Sequence, residues 1–288
     1  MTPAPDNSCP SLPDANERWK RQRTLQVSSE CYEDASHDWD NIENARRYAK
    51  EIEGQYDDRV QTTLAGLDLR PEYRVLDIGS GPGTLAIPIA HKVRHVTAIE
   101  PGAGMATVLM EQCRERGLTN VTCIKKMWED IDPDRDLDGK YDLVIAALAL
   151  TMSDIREAVL KMDAVSQKYV CLYWFVDMPF GERISVDLWE KLHGTGYYPG
   201  PKTDLLYQVL YEAGIYANVE VFPFDKAYRF GSRDEMQEFF RHRFEITTPG
   251  QEEILFRYLE QFVTTDGDGI VVGSRSYYAK IWWEKAGS

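Results

Sequence analysis

The chain has 288 residues, of which 43% are hydrophobic, so it is long enough to form one large α/β domain around its own core. It carries 33 basic and 47 acidic residues, a formal net charge of −14 at pH 7, and so lacks the attraction that polyanions exert on basic proteins. This charge argues against nucleic-acid and membrane partners and leaves a small molecule as the expected partner. The longest apolar run, Leu143 to Leu150, is also far shorter than a membrane span.

The N-terminal segment is rich in proline and has neither the basic start nor the apolar stretch of a secretory signal. The five cysteines are scattered and form no C-x-x-C motif, which argues against a disulfide framework and against a structural metal site. We therefore predict a cytoplasmic protein without a bound metal, a monomer or homodimer, whose residues 1–36 form a flexible tail.

Apolar residues at helical spacing begin near Asp40 and continue to Leu67, which predicts a helical cap over residues 37–70. Beyond Pro71, short β-rich runs alternate with helical stretches, a pattern typical of right-handed βαβ units in a mainly parallel sheet. The predicted strands are Arg74 to Ile78, His95 to Glu100, Val121 to Lys125, Asp142 to Ala147, Tyr169 to Phe175, Val219 to Phe224 and Ser276 to Trp283. We predict one doubly wound α/β domain over residues 37–288.

Capping signals predict two further helices between the last two strands. Ser232 is followed three residues later by Glu235, and Thr248 is followed by Pro249 and Gln251. Together with the segment after the fifth strand, these helices predict two insertions, over residues 178–216 and 225–268, that form a lid above a substrate.

A glycine-rich turn follows the first predicted strand. The strand carries Asp77, the turn contains Gly79, Gly81 and Gly83, and an apolar helix comes next. Glycines permit a sharp turn and let a ligand approach the main chain, whereas the Gly-Lys-Ser/Thr ending of a phosphate-binding loop is missing. Glu100 ends the neighbouring strand, so it should face the same crevice, where a carboxylate can accept from both hydroxyls of a ribose.

The runs VLDIGSGPGTL, AIEPG, NVTCIKKMWEDI and YDLVIAALAL occur in this order, and together they resemble the class I S-adenosylmethionine-dependent methyltransferases over residues 40–178. The resemblance implies a Rossmann-like fold with a mainly parallel, seven-stranded sheet and S-adenosyl-L-methionine as the cofactor. It implies that Gly79 and Gly81 border the methionine part, that Asp77 lies near the amino group and that Glu100 holds the ribose.

The same resemblance implies further cofactor contacts. Pro101 and Met105 would pack near the adenosine, and Ala146 would lie at the cofactor from the end of the fourth strand. Many members place an acid after the third strand to bind the adenine, but this chain has Met127 there, followed by Trp128 and Glu129. The adenine contact is therefore predicted within Met127 to Asp130, with Trp128 flanking the base and Glu129 or Asp130 taking the polar role. The alternative for Trp128 is packing in the core.

Aromatic residues concentrate after the fifth strand, where ten of the chain's aromatics lie within residues 173–216. This cluster predicts an aromatic substrate pocket, with candidate substrate residues in the cluster and in the N-terminal cap. The candidates are Trp39, Tyr48, Tyr173, Trp174, Tyr197 and Tyr198. His193 lies in a polar, glycine-rich stretch that is typical of a loop, so it is either a candidate general base or a loop histidine without a role.

The predicted function is transfer of a methyl group from S-adenosylmethionine to a small molecule. The Asn/Asp-Pro-Pro-aromatic motif, through which methyltransferases of adenine or glutamine amino groups resemble one another, is missing after the fourth strand. Two alternatives remain open: methylation of a protein or peptide side chain, and a non-catalytic subunit that binds the cofactor and docks a partner.

Overall fold

The computed structural model describes residues 14–29, 39–55, 57–267 and 269–285. The helices are α1 (Ala15–Val27), α2 (Ile42–Gln55), α3 (Asp57–Ala65), α4 (Ala86–Ala90), α5 (Ala103–Glu115), α6 (Pro133–Asp136), α7 (Ile155–Val165), α8 (Phe180–His193), α9 (Thr203–Glu212), α10 (Arg233–Arg243) and α11 (Pro249–Leu259). The strands are β1 (Arg74–Ile78), β2 (His95–Ile99), β3 (Val121–Ile124), β4 (Tyr141–Ala147), β5 (Ser166–Phe175), β6 (Asn218–Phe230), β7 (Val263–Asp266) and β8 (Gly269–Glu284).

The strands form one sheet in the order β3-β2-β1-β4-β5-β8-β6, with β7 paired to β8. Strands β1 to β5 run parallel, and β8 lies antiparallel between β5 and β6. The predicted doubly wound, mainly parallel sheet is confirmed. The predicted count of seven strands is one too low for the described residues. The additional strand is β7, a short strand beside β8. Its sequence has no apolar pattern from which a strand could be predicted.

Side chains alternate between the two faces of the sheet, and each face carries its own core. On one face, Leu76 and Val144 pack with α7 and α9, whereas on the other face Val75 and Leu143 pack with α3 and α4. Burial on both faces explains why β1 and β4 are continuous apolar runs apart from their polar ends.

Among the described residues, no helix is both long enough and apolar enough to cross a membrane.

The prediction of a tail over residues 1–36 is wrong for residues 15–27, which form α1. Asp14 caps this helix, and Trp19 is completely buried, with its Nε1 donating to the carbonyl of Met152 at 2.9 Å. The helix is otherwise polar, so it has no apolar periodicity for a sequence-based prediction to detect. Residues 1–13 and 30–36 lie outside the described residues. Within the predicted cap over residues 37–70, the structure has two helices, α2 and α3.

The predicted lid insertions have a different arrangement. Strand β6 continues to Phe230 and β8 begins at Gly269, so part of residues 225–268 extends the sheet. Helices α8, α10 and α11 pack on this extension around a separate core. The large side chains of that core include Phe180, Trp189, Tyr228, Phe240, Phe244 and Leu255. The aromatic residues of this region therefore mainly stabilise a second packed layer and do not form a lid over the crevice.

Candidate functional site

A cavity of about 320 Å³ opens where β1, β2 and β4 end. This edge of the sheet is where the winding direction changes, because β1 pairs with β2 on one side and with β4 on the other. The lining residues are Trp39, Tyr48, Arg59, Asp77, Ile78, Gly79, Ser80, Gly81, Pro82, Thr84, Leu85, Ile99, Glu100, Pro101, Met105, Met127, Trp128, Glu129, Ala147, Leu148, Ala149, Thr151 and Met152. Its volume is in the range of small-molecule sites.

The glycine turn forms the floor of this cavity. Gly79, Gly81 and Gly83 have φ angles of 70°, 55° and 95°, in the left-handed region that other residues avoid. A Cβ on Gly79 would lie 2.3 Å from the Cβ of Ala149, so glycine also lets the segment after β4 approach closely. The backbone N–H of Gly79 donates to the carbonyl of Ile99 at 2.8 Å, which fixes the turn against β2.

Glu100 is held at both carboxylate oxygens. Its Oε2 accepts from the backbone N–H of Gly81 at 2.8 Å, and its Oε1 accepts from the backbone N–H of Gly102 at 2.8 Å. Burial raises the pKa of the Glu100 carboxyl, and the two N–H donors act in the opposite direction by stabilising the charge. Each oxygen keeps a second lone pair, so the carboxylate is oriented to accept from a ligand in the cavity.

Asp77 is almost completely buried, and its Oδ2 has no hydrogen-bond partner among the described residues. Burial, and to a lesser degree the charge of Glu100, raise the pKa of Asp77 to about 7, whereas a backbone N–H from Ala86 at the start of α4 lowers it. A buried carboxyl with an unpaired oxygen destabilises the fold. A cationic or N–H donor group of a ligand in the cavity would remove this cost.

The N-terminal cap closes one side of the cavity. The Oδ1 of Asp40 accepts from the backbone N–H of Ala103 at 2.8 Å and so caps α5, whose N-cap residue Gly102 has no side chain to do this. A Cβ on Gly104 would lie 2.6 Å from the carbonyl oxygen of Trp39, so this glycine also allows the cap to dock. Trp39 and Tyr48, with ring centroids 4.9 Å apart, thereby reach the cavity wall.

The segment after β3 supplies a second wall. Met127, Trp128 and Glu129 all line the cavity. The Nε1 of Trp128 donates to the carbonyl of Ala158 at 3.1 Å, so its indole is fixed in the core. The Nζ of Lys161 donates to the carbonyls of both Trp128 and Glu129, at 3.0 and 2.9 Å, and holds this segment in place.

The predicted cofactor contact at Ala146 is not found in the cavity, because this residue is fully buried in the core. The following residues line the cavity instead, from Ala147 to Ala149. Leu148 has φ 56°, a strained conformation for a bulky residue, and its N–H donates to the carbonyl of Tyr173 at 2.9 Å. Nothing in the sequence signals this turn, because leucine carries no preference for it.

His193 is the last residue of α8, so its predicted loop position is wrong. Gly194 has φ 76° and ends the helix, which is why a glycine follows the histidine. The Nε2 of His193 lies 3.1 Å from the carbonyl of Phe244, and its ring packs on Trp189 with centroids 4.2 Å apart. Its contacts belong to the second core, and it does not line the cavity.

The candidate substrate residues after the fifth strand also lie outside this cavity. Tyr173 and Trp174 are buried on opposite faces of β5, and the Nε1 of Trp174 donates to the carbonyl of Pro201 at 2.8 Å. Tyr197 packs on the second core, and Tyr198 is 47% exposed. Of the six candidates, only Trp39 and Tyr48 line the cavity.

Sequence reasoning missed Arg59, which reaches the cavity from α3, and Thr151 and Met152, which reach it from the segment before α7. The Nε of Arg23 donates to the carbonyl of Thr151 at 3.0 Å, so α1 holds this segment. Only the position of its helix, α3, before β1 in the sequence could have indicated that Arg59 lies near the cavity. No motif marks the other two residues.

Comparison with known proteins identifies the domain. Residues 75–168 match the sequence model of the family described as "Methyltransferase domain". An uncharacterized protein of Haemophilus influenzae is 28% identical over 181 residues, 63% of this chain and 64% of that protein. The 23S rRNA (uracil(1939)-C(5))-methyltransferase RlmD of Klebsiella pneumoniae is 34% identical over 85 residues, 30% of this chain and 20% of that enzyme.

The chain thus spans 64% of the length of the first relative and 20% of the length of the second. Among solved structures, the BH2331 protein of Bacillus halodurans matches with a TM-score of 0.55 at 17% identity, covering 78% of this chain and 98% of that chain. At this identity the match supports the fold alone, and it agrees with the Rossmann-like architecture. The matched family model, the strand order and the glycine turn with its two carboxyls together support a class I S-adenosylmethionine-dependent methyltransferase fold for the domain that contains residues 75–168.

Proposed function

We propose that this protein transfers the methyl group of S-adenosylmethionine to a small-molecule acceptor in the cavity. One observation carries the proposal: the carboxylate of Glu100, oriented by the N–H groups of Gly81 and Gly102, shares a cavity with the carboxyl of Asp77, whose Oδ2 has no hydrogen-bond partner among the described residues. This arrangement suits a ligand with a hydroxylated sugar and a cationic amino-acid end.

The residues present fit this cofactor in charge and shape. Glu100 would accept from the ribose hydroxyls, and Asp77 would accept from the amino group. The sulfonium and the ammonium are both positive, and among the residues that line the cavity the acids outnumber the bases. The adenosine would be held by Pro101, Met105, Met127, Trp128 and Glu129, and the methionine part by Gly79 and Gly81.

When bound, S-adenosylmethionine supplies a methyl carbon made electrophilic by the sulfonium. The chain positions the two reactants and excludes water. Both contributions increase the rate of a bimolecular displacement strongly. Ala147 and Ala149 present small side chains where β4 ends, so an acceptor can approach closely there. Thr151 and Met152 line the same side of the cavity.

The small-molecule acceptor is supported by the cavity volume and by the net charge of −14. The Klebsiella pneumoniae relative acts, by its name, on 23S rRNA, but the similarity covers only 85 residues. An RNA acceptor would favour a basic surface, because phosphate contacts dominate that binding. Labelled methyl transfer into a cell extract separated into small-molecule, RNA and protein fractions tests this. Label found only in ribonuclease-sensitive or protein fractions would contradict the small-molecule proposal.

Glu100→Ala is expected to weaken binding of S-adenosylhomocysteine by about 10- to 100-fold, since two charge-assisted hydrogen bonds to the ribose are lost. Isothermal titration calorimetry measures the change, with Glu115→Ala, an exposed acid on α5, as the matched control. Because Glu100 also binds two backbone N–H groups, the free energy of unfolding is measured in parallel. Absence of binding by the wild type at tens of micromolar, or unchanged binding by Glu100→Ala, would contradict the proposal.

Binding is also expected to depend on pH through Asp77. The pKa of Asp77 is about 7 in the free protein, and an ammonium group requires the ionised carboxyl, so affinity for S-adenosylhomocysteine should be about tenfold weaker at pH 6 than at pH 8. In the free protein the raised pKa destabilises the native state progressively as the pH rises from about 3.8 to 7. Asp77→Asn should flatten the binding profile; a wild-type profile that is flat from pH 6 to 8 would exclude this role.

A further inference from the structure

The cavity wall that follows β3 has support from the sheet on one side only. β3 is the terminal strand of the sheet, and among the described residues no strand lies beyond it. Of the three residues with which this segment lines the cavity, Met127 and Glu129 are exposed and only Trp128 is buried. The position of this wall therefore depends on contacts from other elements.

Lys161, on α7, makes these contacts with its ammonium group. Its Nζ donates to the carbonyls of Trp128, Glu129 and Ile131 at 3.0, 2.9 and 3.0 Å. These carbonyls follow one another around a single 3₁₀ turn, Trp128–Asp130, and the end of such a turn leaves carbonyls without partners in the backbone. A lysine ammonium has three donors, so the donors of Lys161 are all used by this one segment.

The same helix also holds the indole of Trp128. The Nζ of Lys161 lies over the Trp128 ring, 5.3 Å from its centroid, at a distance where a cation is attracted to the face of the ring. The Nε1 of the indole donates to the carbonyl of Ala158, one turn earlier on α7, at 3.1 Å. Both the backbone and the buried side chain of the wall are therefore fixed relative to α7.

A wall that is fixed in this way can distinguish one base from another. When its carbonyls are bound to Lys161, its peptide groups cannot turn, and the wall presents a single pattern of donors and acceptors. Adenine has an amino donor at C6 and an acceptor at N1, whereas hypoxanthine has a carbonyl acceptor at C6 and an N–H donor at N1. A wall that fits the first base leaves polar groups unpaired with the second.

We propose that Lys161 is a positioning residue that makes the cofactor site selective for adenine, by fixing the wall from Met127 to Glu129. Lys161 is not among the residues that line the cavity, so it acts through the wall and not by contact with the ligand. This inference rests on the proposed function, which places the adenosine of the cofactor against this wall.

The test compares two ligands of the full chain, S-adenosylhomocysteine and S-inosylhomocysteine, which differ only in the base. In calorimetric titration we expect the wild type to bind S-adenosylhomocysteine about tenfold or more tightly. Lys161→Met removes the donors and keeps most of the apolar stem. It should weaken binding of S-adenosylhomocysteine about tenfold and reduce the preference to about threefold or less, because the released peptide groups can turn toward either base. Lys161→Arg keeps the charge and N–H donors, so its preference should be intermediate.

Two control variants separate positioning from stability and from charge. Leu188→Ala removes buried volume from the second core, away from the wall, so it should lower stability and leave the base preference unchanged. Lys191→Met removes an exposed lysine whose Nζ donates to one carbonyl of its own helix, that of Asp187, and should also leave the preference unchanged. If Lys161→Met does not fold, Lys161→Gln, which retains two donors, replaces it under the same criteria.

The outcomes separate this inference from the proposed function. A wild-type base preference in Lys161→Met overturns the inference, and so does an equal loss of preference in Leu188→Ala. Equal affinity of the wild type for the two ligands overturns it as well, because the wall would then not read the base. Failure of the wild type to bind S-adenosylhomocysteine at all would instead contradict the proposed function.

Discussion

Replacing Gly79 with alanine is expected to slow methyl transfer by about 100-fold. The added Cβ would lie 2.3 Å from the Cβ of Ala149, so the glycine turn or the segment after β4 must move by about 1 Å to restore ordinary contact. Both segments line the cavity, and a displacement of about 1 Å can cost about 100-fold in rate. The measurements are the rate with labelled S-adenosylmethionine and the affinity for S-adenosylhomocysteine.

Two variants separate the steric clash from backbone strain. Gly117 has φ 68°, and a Cβ added there would meet no atom of the described residues within 4 Å. Gly117→Ala therefore adds only the cost of a left-handed alanine, about 1 kcal/mol in the free energy of unfolding. In the double variant Gly79→Ala/Ala149→Gly, the atom that causes the clash is removed, so we expect recovery of most of the lost rate. If the double variant stays as slow as Gly79→Ala, the close approach to Ala149 is not the reason for the glycine.

Replacing Trp19 with alanine is expected to lower the free energy of unfolding by about 3 to 5 kcal/mol. Trp19 is completely buried in the core that α7, α9 and β4 share, with its ring 6.3 Å from that of Trp174. Its Nε1 also donates to the carbonyl of Met152, which lines the cavity. Loss of this anchor should therefore reduce cofactor affinity as well as stability, and chemical denaturation and calorimetry measure the two effects.

Trp19→Phe and Val27→Ala refine this prediction. Phenylalanine keeps most of the buried surface but cannot donate to Met152, so it should cost about 1 to 3 kcal/mol. Val27 lies on the same helix and is 51% exposed, so Val27→Ala should have almost no effect. Wild-type stability in Trp19→Ala would show that α1 is not part of the folded core in solution.

The central sheet could be predicted because its signals are local. Buried parallel strands are continuous apolar runs, and the prediction of β1 over Arg74–Ile78 matches the structure residue for residue. Asp77 and Glu100 could be placed in one crevice because parallel strands that are neighbours end at the same edge. The rule on neighbouring parallel strands and the glycine turn were therefore sufficient to predict that these two carboxyls lie close together.

The side of the cavity formed after β4 could not be predicted, because its residues carry no local signal. Helix α1 is held by a few buried residues such as Trp19, and the rest of its sequence is polar, so it shows no apolar periodicity. Leu148 adopts a left-handed conformation that leucine does not favour. The aromatic cluster after β5 was misleading, because composition does not distinguish a pocket from a core. Trp189 and Phe180 pack with β6 and β8 in a second layer, which only the tertiary structure reveals.

The contact between Asp77 and the backbone N–H of Ala86 has a consequence for ligand choice. The first turn of α4 follows the glycine turn, at the place where related folds that bind dinucleotides receive a pyrophosphate. Above its pKa of about 7, the Asp77 carboxyl places a negative charge of the chain's own beside that turn. Adenine nucleotides with phosphate chains would therefore meet negative charge where they need donors, and a positively charged adenosyl sulfonium with the same sugar and base would not.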